Sequence, residues 1–202
     1  MKKFIFIFAI LLSFSQTAKA DTKDILDIVN TGMKIYNLLF GESNTNVQLD
    51  KTRNYKSCDF SIKPIQRWQI RSEPAGIKPA PNKIETLWLQ KDEAMMQVTC
   101  IPKAASLTLE NWLQGTLKNL PKSFTNYKVL AHEAASYNNR PAHWIAYQGA
   151  PNGYDELQRG YLLLVDRATG TGLIVSISVP AQKYDDYADA YRAGIKSISF
   201  GK

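Results

Sequence analysis

The chain has 202 residues, 45% of them hydrophobic, and it carries 25 lysines and arginines against 18 aspartates and glutamates. That length and apolar content suffice for one globular domain with its own core. The formal net charge is +7, but the basic residues are scattered along the chain. A nucleic-acid-binding protein needs basic side chains clustered on one face or one helix, so this class is excluded.

The first twenty residues have the three parts of a secretory signal. Lys2 and Lys3 supply the positive start, residues 4–14 form an apolar run, and residues 18–20 (AKA) give the small-x-small cleavage site. The apolar run of about 11 residues is too short to cross a bilayer, which requires about 20. We therefore expect cleavage before Asp21, export of the mature chain to the periplasm, and secretion as the alternative.

Residues 21–41 are predicted to form an amphipathic helix, because apolar side chains recur at steps of three and four. A polar stretch over residues 42–56 shows no periodicity and is predicted to be a linker. The apolar face suits the groove of a partner protein, and docking on the chain's own domain is the alternative. Membrane-surface binding fits less well, because the polar side pairs Asp24 and Asp27 with only Lys23 and Lys34. The residues of the apolar face are Ile25, Val29, Met33, Tyr36 and Phe40.

From residue 57 to residue 202 the pattern changes to strands in hairpins with two separated helices. The predicted strands cover residues 58–62, 84–90, 94–101, 127–136, 142–148, 158–166 and 173–179. One helix starts near Thr108 and ends at Pro121, and a tyrosine-rich helix over residues 184–195 precedes the closing residues 197–200. This order predicts a single α+β domain, a mostly antiparallel sheet flanked by helices.

The two cysteines, Cys58 and Cys100, are predicted to form one disulfide. Their number is even, an exported protein folds in an oxidising compartment, and both are predicted to point to the apolar side of their strands. Two buried thiols remain the alternative. A zinc site is not expected, because two cysteines and two histidines far apart lack paired ligand spacing.

The only two histidines, His132 and His143, are predicted to lie diagonally on one face of a hairpin. A two-residue turn at Asn138 and Asn139 would place residue 132 opposite 145 and residue 134 opposite 143. Such a pair could form half of a metal or proton-transfer site, but ordinary sheet histidines explain it as well. We find no catalytic, cofactor-binding or metal-binding motif, and no cofactor is predicted.

Four short motifs resemble the PsbP-like superfamily, including its bacterial DcrB-like branch. They are residues 60–64 (FSIKP) with Trp68, residues 107–110 (LTLE), residues 139–142 (NRPA), and the tyrosine-rich helix running into residues 197–200 (SISF). The resemblance covers residues 57–200 and implies an α/β/α sandwich with a binding or assembly-support role. Relatives assist photosystem II, bind a small GTPase, or serve secretion and envelope functions, and none of the family's functional residues maps onto this sequence.

The sequence therefore predicts an exported, non-enzymatic accessory or assembly protein of the bacterial cell envelope, bound to an envelope protein partner. A small-ligand binding module is the alternative, and an enzyme using the His132 and His143 face is the third hypothesis. A deep apolar pocket with few polar groups would favour the ligand, and an exposed, reactive or metal-binding histidine pair would favour the enzyme.

Overall fold

The computed structural model describes residue 41 and residues 46–71, 85–167 and 170–201. The predicted signal and all of the predicted amphipathic helix except Gly41 lie outside these residues. No helix within the described part of the chain is long and apolar enough to span a membrane.

The described residues form a seven-stranded sheet, a small three-stranded sheet and two α-helices. In chain order the elements are β1 (Arg53–Tyr55), β2 (Phe60–Ile62), β3 (Gln69–Arg71), β4 (Glu85–Lys91), β5 (Ala94–Pro102), α1 (Leu109–Asn119), β6 (Phe124–Tyr137), β7 (Arg140–Pro151), β8 (Gln158–Arg167), β9 (Thr171–Pro180), α2 (Tyr184–Lys196) and β10 (Ser199–Phe200). The strand order of the large sheet is β3-β4-β5-β9-β8-β7-β6, every pair in it is antiparallel, and the small sheet has the order β1-β2-β10.

The two faces of the large sheet are each covered by one helix. One face packs against Tyr184, Tyr191 and Ile195 of α2, through Trp144, Tyr161, Leu163, Val175 and Ile177. The other packs against Trp112 and Leu113 of α1, through Ile145, Tyr147, Leu162 and Leu164. Because neighbouring residues of one strand join different clusters, the sheet separates two apolar layers. The predicted α+β class and α/β/α sandwich are confirmed.

Local turn chemistry fixes the register of β6 and β7 as predicted. Asn138 and Asn139 both adopt positive φ, 48° and 60°, which asparagine tolerates better than most residues. His132 pairs with Ile145, and Ala134 pairs with His143. Both strands are longer than the ranges 127–136 and 142–148 that apolar alternation predicted, since β6 covers Phe124–Tyr137 and β7 covers Arg140–Pro151.

The structure differs from the prediction over residues 46–56, which were predicted to be linker. Leu49 forms a bridge with Ile65, and Val47 and Tyr55 also pack against the main core. Within this stretch β1 pairs with β2. The sequence pattern missed this because exposed polar residues separate the inward-facing ones, so the domain begins well before residue 57.

The disulfide joins the small sheet to the large one. Cys58 and Cys100 are bonded, with their Cα atoms 6.3 Å apart, as predicted. Cys58 does not lie on a strand as expected, but ends a short 3₁₀ turn over Lys56–Cys58. A buried disulfide is typical of a protein that folds in an oxidising, extracytoplasmic compartment.

Candidate functional site

Helix α1 is set in place by a side-chain cap and by one close aromatic contact. The hydroxyl of Thr108 accepts a hydrogen bond from the backbone N–H of Asn111, 3.1 Å away, which satisfies one free donor of the first turn. The indole of Trp112 lies on Gly172 of β9, so closely that a Cβ on that glycine would meet it at 2.5 Å. Because Gly172 has no side chain, α1 can pack close to the sheet at this point.

A groove of about 500 Å³ runs along one flank of α1. Its floor is apolar and its rim carries short polar side chains. The lining residues are Leu107, Asn111, Trp112, Gly115, Thr116, Asn119, Leu120 and Ser123. All of them come from the helix and the residues directly before and after it, so the groove is an open trough and not an enclosed pocket.

Gly115 lies at the middle of this trough, in the interior of α1. A Cβ at this position would meet no atom within 4 Å, so packing does not require glycine here. Glycine in a helix interior costs about 1 kcal/mol relative to alanine. Packing therefore explains the glycine at position 172, but it does not explain the glycine at position 115.

The predicted histidine pair is present. The rings of His132 and His143 are 5.8 Å apart on the α1 face of the sheet. Burial lowers the pKa of His143, the nearby His132 lowers it further, and Glu110 opposes the shift. His132 is exposed, whereas His143 is only 9% exposed and its Nε2 has no hydrogen-bond partner in the described part of the chain.

The surroundings of the pair supply no further reactive group on the same strands. Glu133 pairs with Trp144, so it points to the other face of the sheet. No group of three potential metal ligands occurs among the described residues. The two imidazoles lie close to each other, and Glu110 of α1 is near enough to act on the pKa of His143.

A buried arginine at the end of β8 joins the two sheets. Arg167 is 3% exposed, and its Nη2 donates to the carbonyl oxygen of Asp59 at 3.0 Å and lies 3.5 Å from the Asp59 carboxylate. Its guanidinium also stacks 5.0 Å from the ring of Phe200. A second hollow, of about 190 Å³, opens beside Asp59 and Phe200. The partners lie far away in sequence, so no local pattern could have revealed this cluster.

The predicted partner-binding face at Ile25, Val29, Met33, Tyr36 and Phe40 lies outside the described residues. Gly41, the last residue of the predicted helix, is described, and its carbonyl oxygen accepts a hydrogen bond from the Nζ of Lys196 at the end of α2.

Comparisons with known proteins identify the fold. No family model and no curated protein matches the sequence. The structure is similar to cyanobacterial PsbP (CyanoP) from Synechocystis sp. PCC 6803, with a TM-score of 0.57, 9% identity, and coverage of 80% of this chain and 99% of that one. It is also similar to the Ran-binding protein Mog1p of Saccharomyces cerevisiae, with a TM-score of 0.50, 11% identity, and coverage of 79% and 96%.

The structure has a weaker similarity to LpqN of Mycobacterium tuberculosis, a protein described as involved in cell envelope biogenesis. The TM-score is 0.47, the identity is 13%, and the coverage is 78% of this chain and 93% of that one. The PsbP/Mog1-like fold expected from the sequence motifs is confirmed. At these identities the similarity concerns the fold alone.

Proposed function

We propose that this protein is an exported, non-enzymatic accessory protein of the bacterial cell envelope, which binds a partner protein in the groove along α1. The periplasm is its proposed location, and the DcrB-like branch of the PsbP-like superfamily is its proposed place among relatives. The apolar face at Ile25, Val29, Met33, Tyr36 and Phe40 is the proposed second contact.

The observation that carries this proposal is Gly115. A helix interior with open space around it favours alanine, so glycine there lowers stability without any gain in packing. Removing the Cβ keeps the trough open beside Trp112 and lets another backbone approach α1. Asn111 on the exposed rim carries an amide that can hydrogen-bond the backbone of a bound segment.

The shape of the groove favours a protein segment over a small ligand. A drug-sized ligand is usually buried over about 70–90% of its surface in a cleft formed by several elements. This trough has a volume in the usual range for ligands but walls from one helix and its flanking residues. A peptide or helix lying along α1 fits that shape, because it needs cover on one side only.

The enzyme hypothesis has less support. General acid–base catalysis needs a base within hydrogen-bond reach of a reacting group, and nucleophilic catalysis needs an activated nucleophile beside that base. His132 and His143 have each other and the charge of Glu110 on α1 nearby, but no nucleophile lies beside them on β6 or β7. A non-enzymatic role is therefore the better proposal.

Site-specific photo-crosslinking in the native envelope tests this function. A photoreactive amino acid replacing Asn111 on the rim should capture one partner, whereas the same group replacing the exposed Asp186 of α2 should not. Gly115→Trp should fill the trough and abolish the adduct, and Gly115→Ala, which adds only one methyl group, should reduce it. Equal adducts from both positions, or an adduct that survives Gly115→Trp in the folded protein, would disprove the proposal.

A further inference from the structure

Positive charge is concentrated in the part of the chain that builds the small sheet. Residues 46–70 carry five lysines and arginines against two aspartates, whereas residues 85–201 carry eleven residues of each sign. The small sheet is therefore basic, and the rest of the described chain is balanced. Charges that are scattered along the sequence are brought to one side of the molecule by folding.

Three neighbouring stretches of backbone bring several of these cations together. The register of β1 and β2 places Thr52 opposite Lys63. On the other side, the backbone N–H of Lys63 donates to the hydroxyl of Ser197 at 3.1 Å. Lys51 and Lys196 directly precede these two neighbours in the chain. Because adjacent strands are about 4.8 Å apart, the backbones of the three lysines lie within roughly 10 Å, the Debye length at 0.1 M salt.

The cations around the small sheet are exposed and form no ion pair within the described part of the chain. The Nζ of Lys196 donates to the carbonyl oxygen of Gly41, a bond that leaves its charge uncompensated. Of the two aspartates, Asp59 is already paired with the buried Arg167, 3.5 Å away. The positive charge is therefore available to an outside partner. The exposed cations are Lys51, Arg53, Lys56, Lys63, Arg67 and Lys196.

The small sheet presents short polar side chains between these cations. Asn54 on β1 and Ser199 on β10 pair with Ser61 on β2, so the three lie in a row on one face. The hydroxyls of Ser61 and Ser199 are 2.7 Å apart. The hollow of about 190 Å³ beside Asp59 is lined by this row and by Lys56. Lysine, serine and asparagine side chains are common donors to phosphate oxygens.

The composition of this surface favours an anionic lipid layer over an acidic protein. The core of a protein–protein interface is enriched in aromatic residues and depleted in lysine. Here the exposed residues are cations and short polar side chains, and the ring of Phe60 is turned into the core, 3% exposed. An anionic leaflet attracts clustered cations without an apolar contact, and each lysine near it strengthens binding about fivefold.

We propose that the exposed face of the small sheet docks this protein on an anionic phospholipid surface, where Lys51, Lys63 and Lys196 bind lipid phosphates. The small sheet shares its core with α2, whereas the groove along α1 lies on the other face of the large sheet. Docking through the small sheet therefore leaves the groove open to a partner protein. The balanced charge of residues 85–201 provides no competing orientation.

Sedimentation with large vesicles tests this docking on the full mature chain. Vesicles of equal parts phosphatidylcholine and phosphatidylglycerol should bind the protein at low salt, and vesicles of phosphatidylcholine alone should not. Binding should be lost as the Debye length falls from about 10 Å at 0.1 M salt to about 3 Å at 1 M. Equal binding to both kinds of vesicle, or to neither, would overturn the proposal.

Two matched double variants show whether the small sheet is responsible. Lys51→Gln with Lys63→Gln should weaken binding roughly 25-fold, at about fivefold for each lysine. Lys91→Gln with Lys118→Gln removes the same charge from exposed positions outside the small sheet and should leave binding nearly unchanged. All four lysines are exposed, so the melting temperatures should coincide. Equal weakening by both pairs, or by neither, contradicts docking through this face.

Two soluble probes separate lipid from other anions. Saturable binding of inorganic phosphate to protein that does not bind vesicles would assign a free anion to this face. Binding of polyglutamate without binding of vesicles would assign an acidic protein instead, and either result overturns the proposal. The vesicle assay and the groove crosslinks report on different surfaces, so one can fail while the other succeeds.

Discussion

The same substitution at two glycines should change stability in opposite directions. Gly115→Ala adds a methyl group where no atom lies within 4 Å, so the helix gains about 1 kcal/mol from propensity alone. Gly172→Ala places its methyl group 2.5 Å from the indole of Trp112. Because an ordinary contact begins near 3.4 Å, the indole or the whole of α1 must move by about 1 Å, and such overpacking costs about 1–3 kcal/mol.

These free energies translate into measurable melting temperatures. For a domain of this size 1 kcal/mol corresponds to about 2–4 °C, so Gly115→Ala should melt about 2–4 °C higher and Gly172→Ala at least about 2 °C lower. Calorimetry of the mature, oxidised protein provides the measurement. Gly153→Ala is the control for backbone strain, since it has open space but a φ of 88°. Shifts of the same sign at Gly115 and Gly172 would refute the geometry assigned to α1.

Three further predictions concern the disulfide, the buried histidine and export. Replacing Cys58 and Cys100 by alanine should lower the unfolding free energy by about 4 kcal/mol, because the disulfide closes a loop of 42 residues. An unchanged midpoint of denaturant unfolding would contradict this prediction. Burial lowers the folded-state pKa of His143 below its ordinary 6.5, so the unfolded chain binds protons more readily and stability should fall as pH drops below about 6.5. His143→Gln should flatten that dependence, measured by melts between pH 7 and 5. Mass spectrometry of the exported protein should show that Asp21 is its N-terminal residue, and an intact Met1 would show that the signal is retained.

The parts of the fold that could be predicted depend on local chemistry. The turn at Asn138 and Asn139 sets the register of two long strands, since side chains that tolerate positive φ specify where a hairpin turns. That register in turn places His132 and His143 on one face, as predicted from the sequence. Alternation and helical spacing predicted both helices and the other strands of the large sheet, except the short edge strand β3 over Gln69–Arg71.

The parts that could not be predicted depend on partners distant in sequence. Arg167 is buried because Asp59 and Phe200 meet it from another sheet, and nothing near Arg167 in the sequence indicates either contact. The strand over Arg53–Tyr55 is short and mostly exposed, so its pairing with β2 leaves no alternation to detect. No sequence pattern marks Gly115, and only the open space around it distinguishes it from a glycine required by packing.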